Sequence, residues 1–412
     1  MNAYFKFGSL IATSFIFACS QRDVSVEKNN EVDKAKEYFT IDFESNLLKS
    51  DRGDLIDTVI YLQLATAKGH EISNIDQLEI TTNNYIILDK DANEIFFYNK
   101  KGEFVRKISP NNKDIPIPFK AIERFNVNKE TSIISFNDVH SDRLYLFDLN
   151  AKFVQVRTKK NSDYNSDFQY IGNKEIILDY FDADSKYAND AYLPTITISN
   201  NNTKKTHGYI YYNPQIIDYK DVIGLSKYFY DSNMDYLLIS RPYDYTIYRY
   251  DSVNALSKYF TLNFPADKSL PSDFVTSKSY TGKRMRYLKQ NNSVIFNISN
   301  IYEIGNWVSL KTNSSRQLIT YLYNKNQHKL VDLSKVISTK KSNLLPVFSG
   351  EILGTDGQYF YSSLTAASVI RYITQGIGKE GYWDSLPISL KTIFNAGNNQ
   401  NDILLITKMK DI

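Results

Sequence analysis

Cysteine and histidine are scarce in this sequence. It contains one cysteine, Cys19, and four histidines among 412 residues. A single cysteine cannot close an intramolecular disulfide bond, and even a minimal cysteine zinc site would need two more. The histidines share no spacing that would indicate a metal motif; they are His70, His140, His207 and His328. The fold must therefore be held by apolar packing, for which 42% apolar content with 14% aromatic residues is sufficient.

A surplus of charge of one sign is also missing. The chain has 49 basic and 46 acidic residues, and no run of five or six like charges occurs. A nucleic-acid-binding protein needs a concentrated basic surface, so the sequence excludes this class. The 32 tyrosines fit an aromatic sugar-binding face, but an AT-rich genome would produce the same bias.

The first residues have the features of an export signal. Lys6 precedes the apolar stretch Phe7 to Ala18, which is too short to span a bilayer as a mature helix. The stretch ends in Ile16-Phe17-Ala18-Cys19, which resembles a bacterial lipobox, although Phe17 is bulkier than the usual residue. We therefore predict a lipoprotein signal peptide over residues 1–18 and a lipid on Cys19. Ordinary signal cleavage with an incidental cysteine is the alternative.

A polar segment follows the predicted lipidation site. Residues 19–38 show no apolar periodicity, which indicates a flexible tether. Ser20 stands directly after Cys19, where an aspartate often marks retention in the inner membrane of such lipoproteins. The sequence therefore favours the outer membrane, with the chain held in the envelope by its N-terminal lipid.

The rest of the chain, residues 39–412, is organised as short strands. The segment "NYIILDKDANEIFFYNKKGEFVRKI" at 84–108 contains three apolar runs, Tyr85 to Leu88, Ile95 to Tyr98 and Phe104 to Ile108. Turn-forming residues separate the runs, and Gly102 permits a positive φ in the second turn. Ile75 to Ile80 supplies a further strand upstream. The pattern predicts a four-stranded antiparallel meander.

Weaker copies of this unit recur about every 50 residues. The motif "YNKKGEF" at 98–104 is matched by "FDLNAKF" at 147–153 and "YDSVNAL" at 250–256. Further units are predicted around 175–212 and 307–333, and a last unit has strands at 358–362 and 369–374. Repeated meanders without an amphipathic helix are typical of a β-propeller. We predict an all-β fold with six blades, or seven as the alternative, in which Ile403 to Lys408 and Val59 to Leu64 complete one blade. A solenoid or a β-sandwich of irregular strands is the competing architecture.

The sequence resembles a known family over residues 39–412, the six-bladed, NHL-like β-propeller lipoproteins of Gram-negative bacteria. The resemblance is carried by "DTVIYLQLAT" at 57–66, "IDQLEITTNNYIILDKDANEIFFYNKKGEFVRKIS" at 75–109 and "FNVNKETSIISFND" at 125–138. It implies a propeller fold and an envelope location, but no chemistry. The family's Gly-Pro-Gly-Glu loop is replaced here by Ser109 to Pro116, so a ligand role of that loop does not carry over.

The predicted rim around the propeller channel is the expected location of a binding site. The turns between the second and third strands of each blade converge there. The polar and aromatic residues that we select as candidate ligand-binding residues are Asp91, His140, Arg241, Tyr243 and Arg316. Solvated hairpin turns are the competing interpretation of the first two.

Motifs for catalysis or cofactors are incomplete. Asp89 to Asn93 opens like a calcium loop, but Glu94 replaces the required glycine and Lys100 replaces the bidentate ligand. Gly376 to Gly381 spells a dinucleotide fingerprint without the βαβ unit that it needs. No Gly-x-Ser-x-Gly elbow is present. We therefore predict no cofactor, no metal and no catalytic residue.

Three functions remain open from the sequence. The first is an envelope binding or protein-interaction module whose ligand is a protein, peptide or glycan. The alternative is a metal-dependent propeller hydrolase, lyase or lactonase with its site in the central channel, for which Asp138 to Asp142 is the best turn by residue type. The third is a structural subunit of an outer-membrane uptake complex, which would use the side of a blade.

Overall fold

In the computed structural model the chain forms six β-sheets arranged as the blades of a propeller. The structure describes residues 26–29, 32–48, 55–66, 71–158, 167–171, 174–178, 192–200, 202–203, 205–221, 227–231, 236–251, 255–336, 342–397 and 401–411. Cys19 and the predicted signal peptide lie outside these residues. Strands are numbered in chain order, and blades follow the chain from residue 77.

The first three blades are consecutive antiparallel meanders. Blade 1 comprises β4 (Gln77–Ile80), β5 (Asn84–Asp89), β6 (Glu94–Asn99) and β7 (Phe104–Ile108). Blade 2 comprises β8 (Asn126–Asn128), β9 (Ile133–Asn137), β10 (Arg143–Asp148) and β11 (Phe153–Thr158). Blade 3 comprises β12 (Asp167–Ile171), β13 (Lys174–Leu178), β14 (Leu193–Asn200) and β15 (Thr206–Tyr212).

The other three blades complete the ring. Blade 4 comprises β16 (Phe229–Asp231), β17 (Tyr236–Ile239), β18 (Thr246–Asp251) and β19 (Ala255–Asn263). Blade 5 comprises β20 (Ile295–Ile304), β21 (Trp307–Ser314), β22 (Leu318–Asn324) and β23 (Lys329–Asp332). Blade 6 comprises β24 (Gly354–Thr355), β25 (Phe360–Leu364), β26 (Ile403–Met409) and β3 (Ile56–Gln63). The prediction of a six-bladed propeller is confirmed.

Blade 6 closes the ring with strands from both ends of the chain. β3 pairs antiparallel with β26, from Ile403 opposite Gln63 to Met409 opposite Ile56. The predicted closure is therefore confirmed. The closing strand also fixes blade 1, because Gly102 adopts φ +79° and a Cβ there would lie 2.2 Å from the carbonyl oxygen of Gln63. Only glycine permits this approach between the two blades.

The segment predicted as a tether is partly built into the propeller. β1 (Val26–Asn29) pairs parallel with β15, and β2 (Lys34–Asp42) pairs parallel with β19. Leu47 then forms a parallel bridge with Leu330 of β23. This N-terminal belt, residues 26–29 and 32–48, covers the outer strands of blades 3, 4 and 5 in succession. The polar composition concealed these strands because an edge strand buries few side chains.

The outer strands of blades 1 and 2 end their sheets without an added strand among the described residues. Each contains a bulge, because Val105 and Val154 have no partner in the register with the neighbouring strand. Neither β7 nor β11 contains an acidic residue, whereas Arg106, Lys107 and Arg157 are basic. Bulges and cations discourage edge-to-edge pairing. These two edges are thus protected by other means than the belt.

Blade 6 also contains a helical insertion that the sequence analysis did not predict. It comprises α2 (Ala366–Ile377), α3 (Tyr382–Ser385) and α4 (Ile388–Ala396). A separate helix, α1 (Arg284–Gln290), lies in the earlier connection between blades 4 and 5. The strand expected at 369–374 is wrong. Apolar residues that are buried at intervals of three and four identify a helix, and they are Ala366, Val369, Ile373 and Gly376. Among the described residues, no helix is long and apolar enough to cross a bilayer.

The glycines of the false dinucleotide fingerprint join these helices. Gly376 packs directly against the ring of Tyr382, since a Cβ at this position would lie 2.2 Å from that ring. Gly381 has φ +71° and begins α3. Gly376 thus permits close packing between α2 and α3, whereas Gly381 supplies the left-handed conformation that precedes α3.

Two buried acids meet where blade 6 adjoins blade 1. Asp402 precedes β26 and is 9% exposed, and Asp89 at the end of β5 is fully buried. Burial, and then the charge of Asp89, raise the pKa of Asp402 to about 6. Asp89 accepts hydrogen bonds from the backbone N–H groups of Ser73 and Ala92, so its charge is compensated locally. Asp402 thus carries the unfavourable charge of the pair.

We predict that Asp402→Asn stabilises the protein at neutral pH. A carboxyl whose pKa is raised on folding contributes stability below its unfolded pKa, and this contribution disappears as the pH rises through the folded pKa. The rise from 3.8 to about 6 corresponds to roughly 3 kcal/mol at pH 7. Chemical denaturation should show the variant more stable than the wild type at pH 7 and nearly equal at pH 4. Asp384→Asn, on exposed α3, is the control, and an equal gain at both pH values would contradict the assignment.

Candidate functional site

The long connections in the described part of the chain lie on one face. Successive strands of a meander alternate in direction, so the turn between the second and third strands shares a rim with the link to the next blade. The long-connection face carries the links 109–125, 264–294 and 333–353 and the helical insertion. The opposite, short-turn face carries tight turns such as 81–83, 149–152 and 325–328. Binding residues on a rigid scaffold concentrate in long connections.

Three predicted ligand-binding residues are exposed on this face. Asp91 lies in the turn of blade 1, His140 in the turn of blade 2 and Arg316 in the turn of blade 5. They are thus distributed over separate blades, and the structure does not gather them into one site.

Arg241 and Tyr243, the other two candidate ligand-binding residues, are largely buried in the fold rather than exposed on the rim. Arg241 is 7% exposed and forms an ion pair of 3.1 Å with Asp244. Tyr243 is also 7% exposed, adopts φ +61°, and donates its hydroxyl hydrogen to the carbonyl oxygen of Asp221. Burial raises the pKa of Tyr243. The connection 264–294 covers the blade 4 turn, so both side chains are buried there. Their ion pair and hydrogen bond fix the turn.

The turn at Asp138, the best metal candidate by residue type, caps its own backbone. The Asp138 carboxylate accepts hydrogen bonds from the Ser141 hydroxyl at 2.7 Å and from the His140 backbone N–H at 3.1 Å. Burial opposes the charge, but these hydrogen bonds outweigh it and lower the pKa of Asp138. In the part of the chain that is described, no group of three or more His, Cys, Asp or Glu residues could hold a metal ion.

The central channel is crossed by an ion pair that the sequence analysis missed. The first strand of each blade lies innermost, because first strands of neighbouring blades contact each other. Glu79 on β4 and Lys227, just before β16, form a salt bridge between blades 1 and 4. These blades are opposite each other in a ring of six, so the pair spans the channel. Burial opposes the charge on Lys227, but Glu79 outweighs it and raises the pKa of Lys227.

Further polar contacts link the inner strands around this pair. Gln77 donates to the carbonyl oxygen of Phe125 at 2.7 Å and to Glu79 at 3.0 Å, which joins blade 1 to blade 2. Lys129, after β8, forms a 2.7 Å salt bridge with Asp231 of blade 4. The channel is therefore occupied by paired side chains of the protein itself.

A second buried ion pair holds two connections together. Arg284 of α1 is fully buried and lies 2.7 Å from the carboxylate of Asp221. The guanidinium also donates to the carbonyl oxygens of Ile216, Phe274 and Val275. Each nitrogen of the buried guanidinium has at least one acceptor, as burial of a charge requires. The links 213–221 and 264–294 are thus joined into one rigid cover over blades 4 and 5.

A cleft opens beside this cover at the outer side of blade 5. We call it the blade 5 cleft, and with its mouth it encloses about 430 Å³. Three separate parts of the chain form it: the N-terminal belt, the link 264–294 and blade 5 itself. The lining residues are Phe43, Leu47, Pro265, Lys268, Ser293, Ile295, Thr312, Ser314, Gln317, Ile319 and Tyr321. Arg316, one of the predicted residues, is the chain neighbour of Gln317.

The fold and the packed channel define the protein as a six-bladed β-propeller whose candidate sites lie on its long-connection face. The chain belongs to the DUF4934 family, a domain of unknown function whose sequence profile matches residues 38–408.

Solved structures share this fold at low sequence identity. A candidate exported protein from Bacteroides fragilis NCTC 9343 is 16% identical with a TM-score of 0.64, over 91% of this chain and all of that one. A member of the DUF4221 family from Bacteroides vulgatus ATCC 8482 is 10% identical with a TM-score of 0.49, over 87% of this chain and 98% of that one. No curated protein matches the chain significantly.

We predict that Glu79→Gln destabilises the propeller. The substitution leaves the Lys227 ammonium, whose side chain is 23% exposed, without its carboxylate. The expected cost is about 2 kcal/mol, reduced from the value for a fully buried pair by the partial exposure. The double variant Glu79→Gln with Lys227→Met should recover at least half of the loss in a denaturation cycle.

The control pair for this cycle is Lys90 with Glu123, both 35% exposed at 2.6 Å. Glu123→Gln should cost less than about 1 kcal/mol, since exposed ion pairs contribute little. Equal costs for the two pairs, or strictly additive effects of Glu79→Gln and Lys227→Met, would show that the channel pair has no special role.

Proposed function

We propose that this protein is an exported, lipid-anchored propeller of the NHL-like type that binds a protein, peptide or glycan at the cell envelope. The observation that carries the proposal is the contrast between the two faces. The long connections that offer recognition surface lie on one face, whereas the channel is occupied by paired polar side chains such as Glu79 and Lys227. A large ligand on the face is therefore favoured over a small substrate in the channel.

The anchor part of the proposal depends on the N-terminal sequence. Cys19 follows an apolar signal stretch and is the single cysteine of the chain. Dual or triple acylation gives lasting membrane attachment, at roughly 0.8 kcal/mol for each buried methylene. Ser20 supports the outer membrane as the destination, and the ligand would be met on its periplasmic or outer side.

We predict that Cys19→Ala moves the protein from the membrane fraction to the soluble fraction of the envelope. The wild-type chain should incorporate labelled palmitate, and the variant should not, because it lacks the thiol that accepts the lipid. Ser20→Ala is the matched control and should remain at the membrane. Palmitate labelling of the Cys19→Ala chain, or membrane retention without any labelling of the wild type, would contradict a lipid anchor at this residue.

We predict that crosslinks to a ligand concentrate on the long-connection face. A photo-reactive amino acid at His140 or Leu318, both exposed there, should capture an envelope component in cells. The same residue at Lys152 or Asn326, exposed in turns of the short-turn face, should give little product. Gel shifts of the immunoprecipitated protein measure the yield. Equal capture at both faces would contradict a binding function of the long connections.

A further inference from the structure

The blade 5 cleft combines a rigid apolar base with an uncommitted polar mouth. The base is apolar and aromatic, with Phe43 edge-on to Tyr321 at 5.0 Å between ring centroids and tilted against Phe264 at 4.3 Å. Phe43 is 7% exposed and Tyr321 likewise. These rings are fixed by the belt and by β22, so the base is preformed before any ligand arrives. A preformed apolar pocket with few polar groups is the usual form of a small-ligand site.

The serine and threonine hydroxyl groups of the cleft have already used their hydrogens. The hydroxyl of Ser293 donates to the carbonyl oxygen of Asp267 at 3.3 Å, and that of Thr312 to Ile319 at 3.4 Å. Ser314 donates to Gln317 at 3.1 Å. Apart from the hydroxyl of the largely buried Tyr321, a ligand therefore meets no free hydroxyl donor among these residues.

The donors that remain are cationic or amide groups at the mouth. Lys268 and Gln317 line the cleft and are exposed, and exposed Arg316 adjoins Gln317. Among the residues described, no carboxylate forms an ion pair with Lys268 or Arg316. Two unpaired cations and one amide above an apolar base complement an anion that carries an apolar group.

The volume limits the size of this ligand. About 430 Å³ includes solvent in the open mouth, so the enclosed part is smaller than ordinary ligand pockets, and a bound group can be no larger than one side chain or a short acyl group. A carboxylate with a branched or linear apolar tail of four to six carbons meets the three conditions of charge, polarity and size. Such a group occurs at the C-terminus of a peptide that ends in an aliphatic residue, and in a free short-chain carboxylic acid.

We propose that the blade 5 cleft binds a carboxylate attached to a short apolar group, with Lys268 and Gln317 holding the carboxylate and Phe43, Ile319 and Tyr321 surrounding the tail. The proposal rests on the proposed binding function, because it assigns a ligand class to one site of the long-connection face. The belt supplies Phe43 and Leu47, so the cleft is complete only when the N-terminal belt is docked.

The test is isothermal titration of the full chain carrying Cys19→Ala with matched probes. N-acetyl-leucine carries the free carboxylate, and N-acetyl-leucinamide is its neutral counterpart. The acid should bind at least tenfold more tightly than the amide, because only the acid pairs with Lys268. Hexanoate and a tetrapeptide ending in leucine, titrated in parallel, show whether a free acid or a peptide terminus is preferred.

Substitutions then locate the site. Lys268→Gln should weaken binding of the acid at least tenfold and leave the amide unchanged, whereas Lys379→Gln, a cation of the helical insertion, should change neither. Both lysines are exposed, so each variant should melt like the parent chain. Equal binding of acid and amide, equal effects of the two lysine variants, or no binding by any probe at millimolar concentration would overturn the proposal. The crosslinking contrast between the two faces would be unaffected by that outcome, so failure of the cleft and failure of the binding function are distinguishable.

Discussion

Closure of the ring through blade 6 is the constraint on which the rest of the structure depends. The ring is closed by the last sheet, which takes strands from both ends of the chain, β26 and β3. Once β3 is fixed, the residues before it must run along the outside of the preceding blades. The N-terminal belt follows from this route, and it covers the outer strands of blades 3, 4 and 5 with parallel strands. Edge protection and closure therefore have one cause.

The regular part of the fold could be predicted because its signals are local. The runs around residues 85–108 alternate with turns whose chemistry is visible in the sequence, and Gly102 does adopt the positive φ that its turn requires. Copies of this unit gave the blade number once the closing strands were recognised. The strand predicted at 369–374 was wrong because a short apolar run does not distinguish a strand from a helix. The burial spacing of Val369 and Ile373 does.

The site was less accessible because its contacts connect distant parts of the chain. Glu79 and Lys227 are 148 residues apart, and the only sequence signal is an acid within the otherwise apolar strand "QLEI". Arg241 and Tyr243 looked like rim residues because a turn rich in polar groups is normally exposed. Their burial depends on the cover built by Arg284 and Asp221, which no local pattern reveals. Arg316, predicted for the channel rim, adjoins Gln317 of a cleft that the sequence could not show.

The packed channel bears on where the proposed ligand would be recognised. In a propeller the axis is the natural place for a small ligand, but here the inner strands turn ionic and amide groups toward each other and satisfy them within the ring. A ligand that entered the axis would have to replace these pairs and leave charges unmatched, which costs more than an exposed contact returns. The connections on the long-connection face carry no such cost, because Asp91, His140 and Arg316 remain hydrated. In the proposed binding function, the ion pairs that occupy the channel leave the long-connection face to the ligand, where the belt and the connections meet a blade.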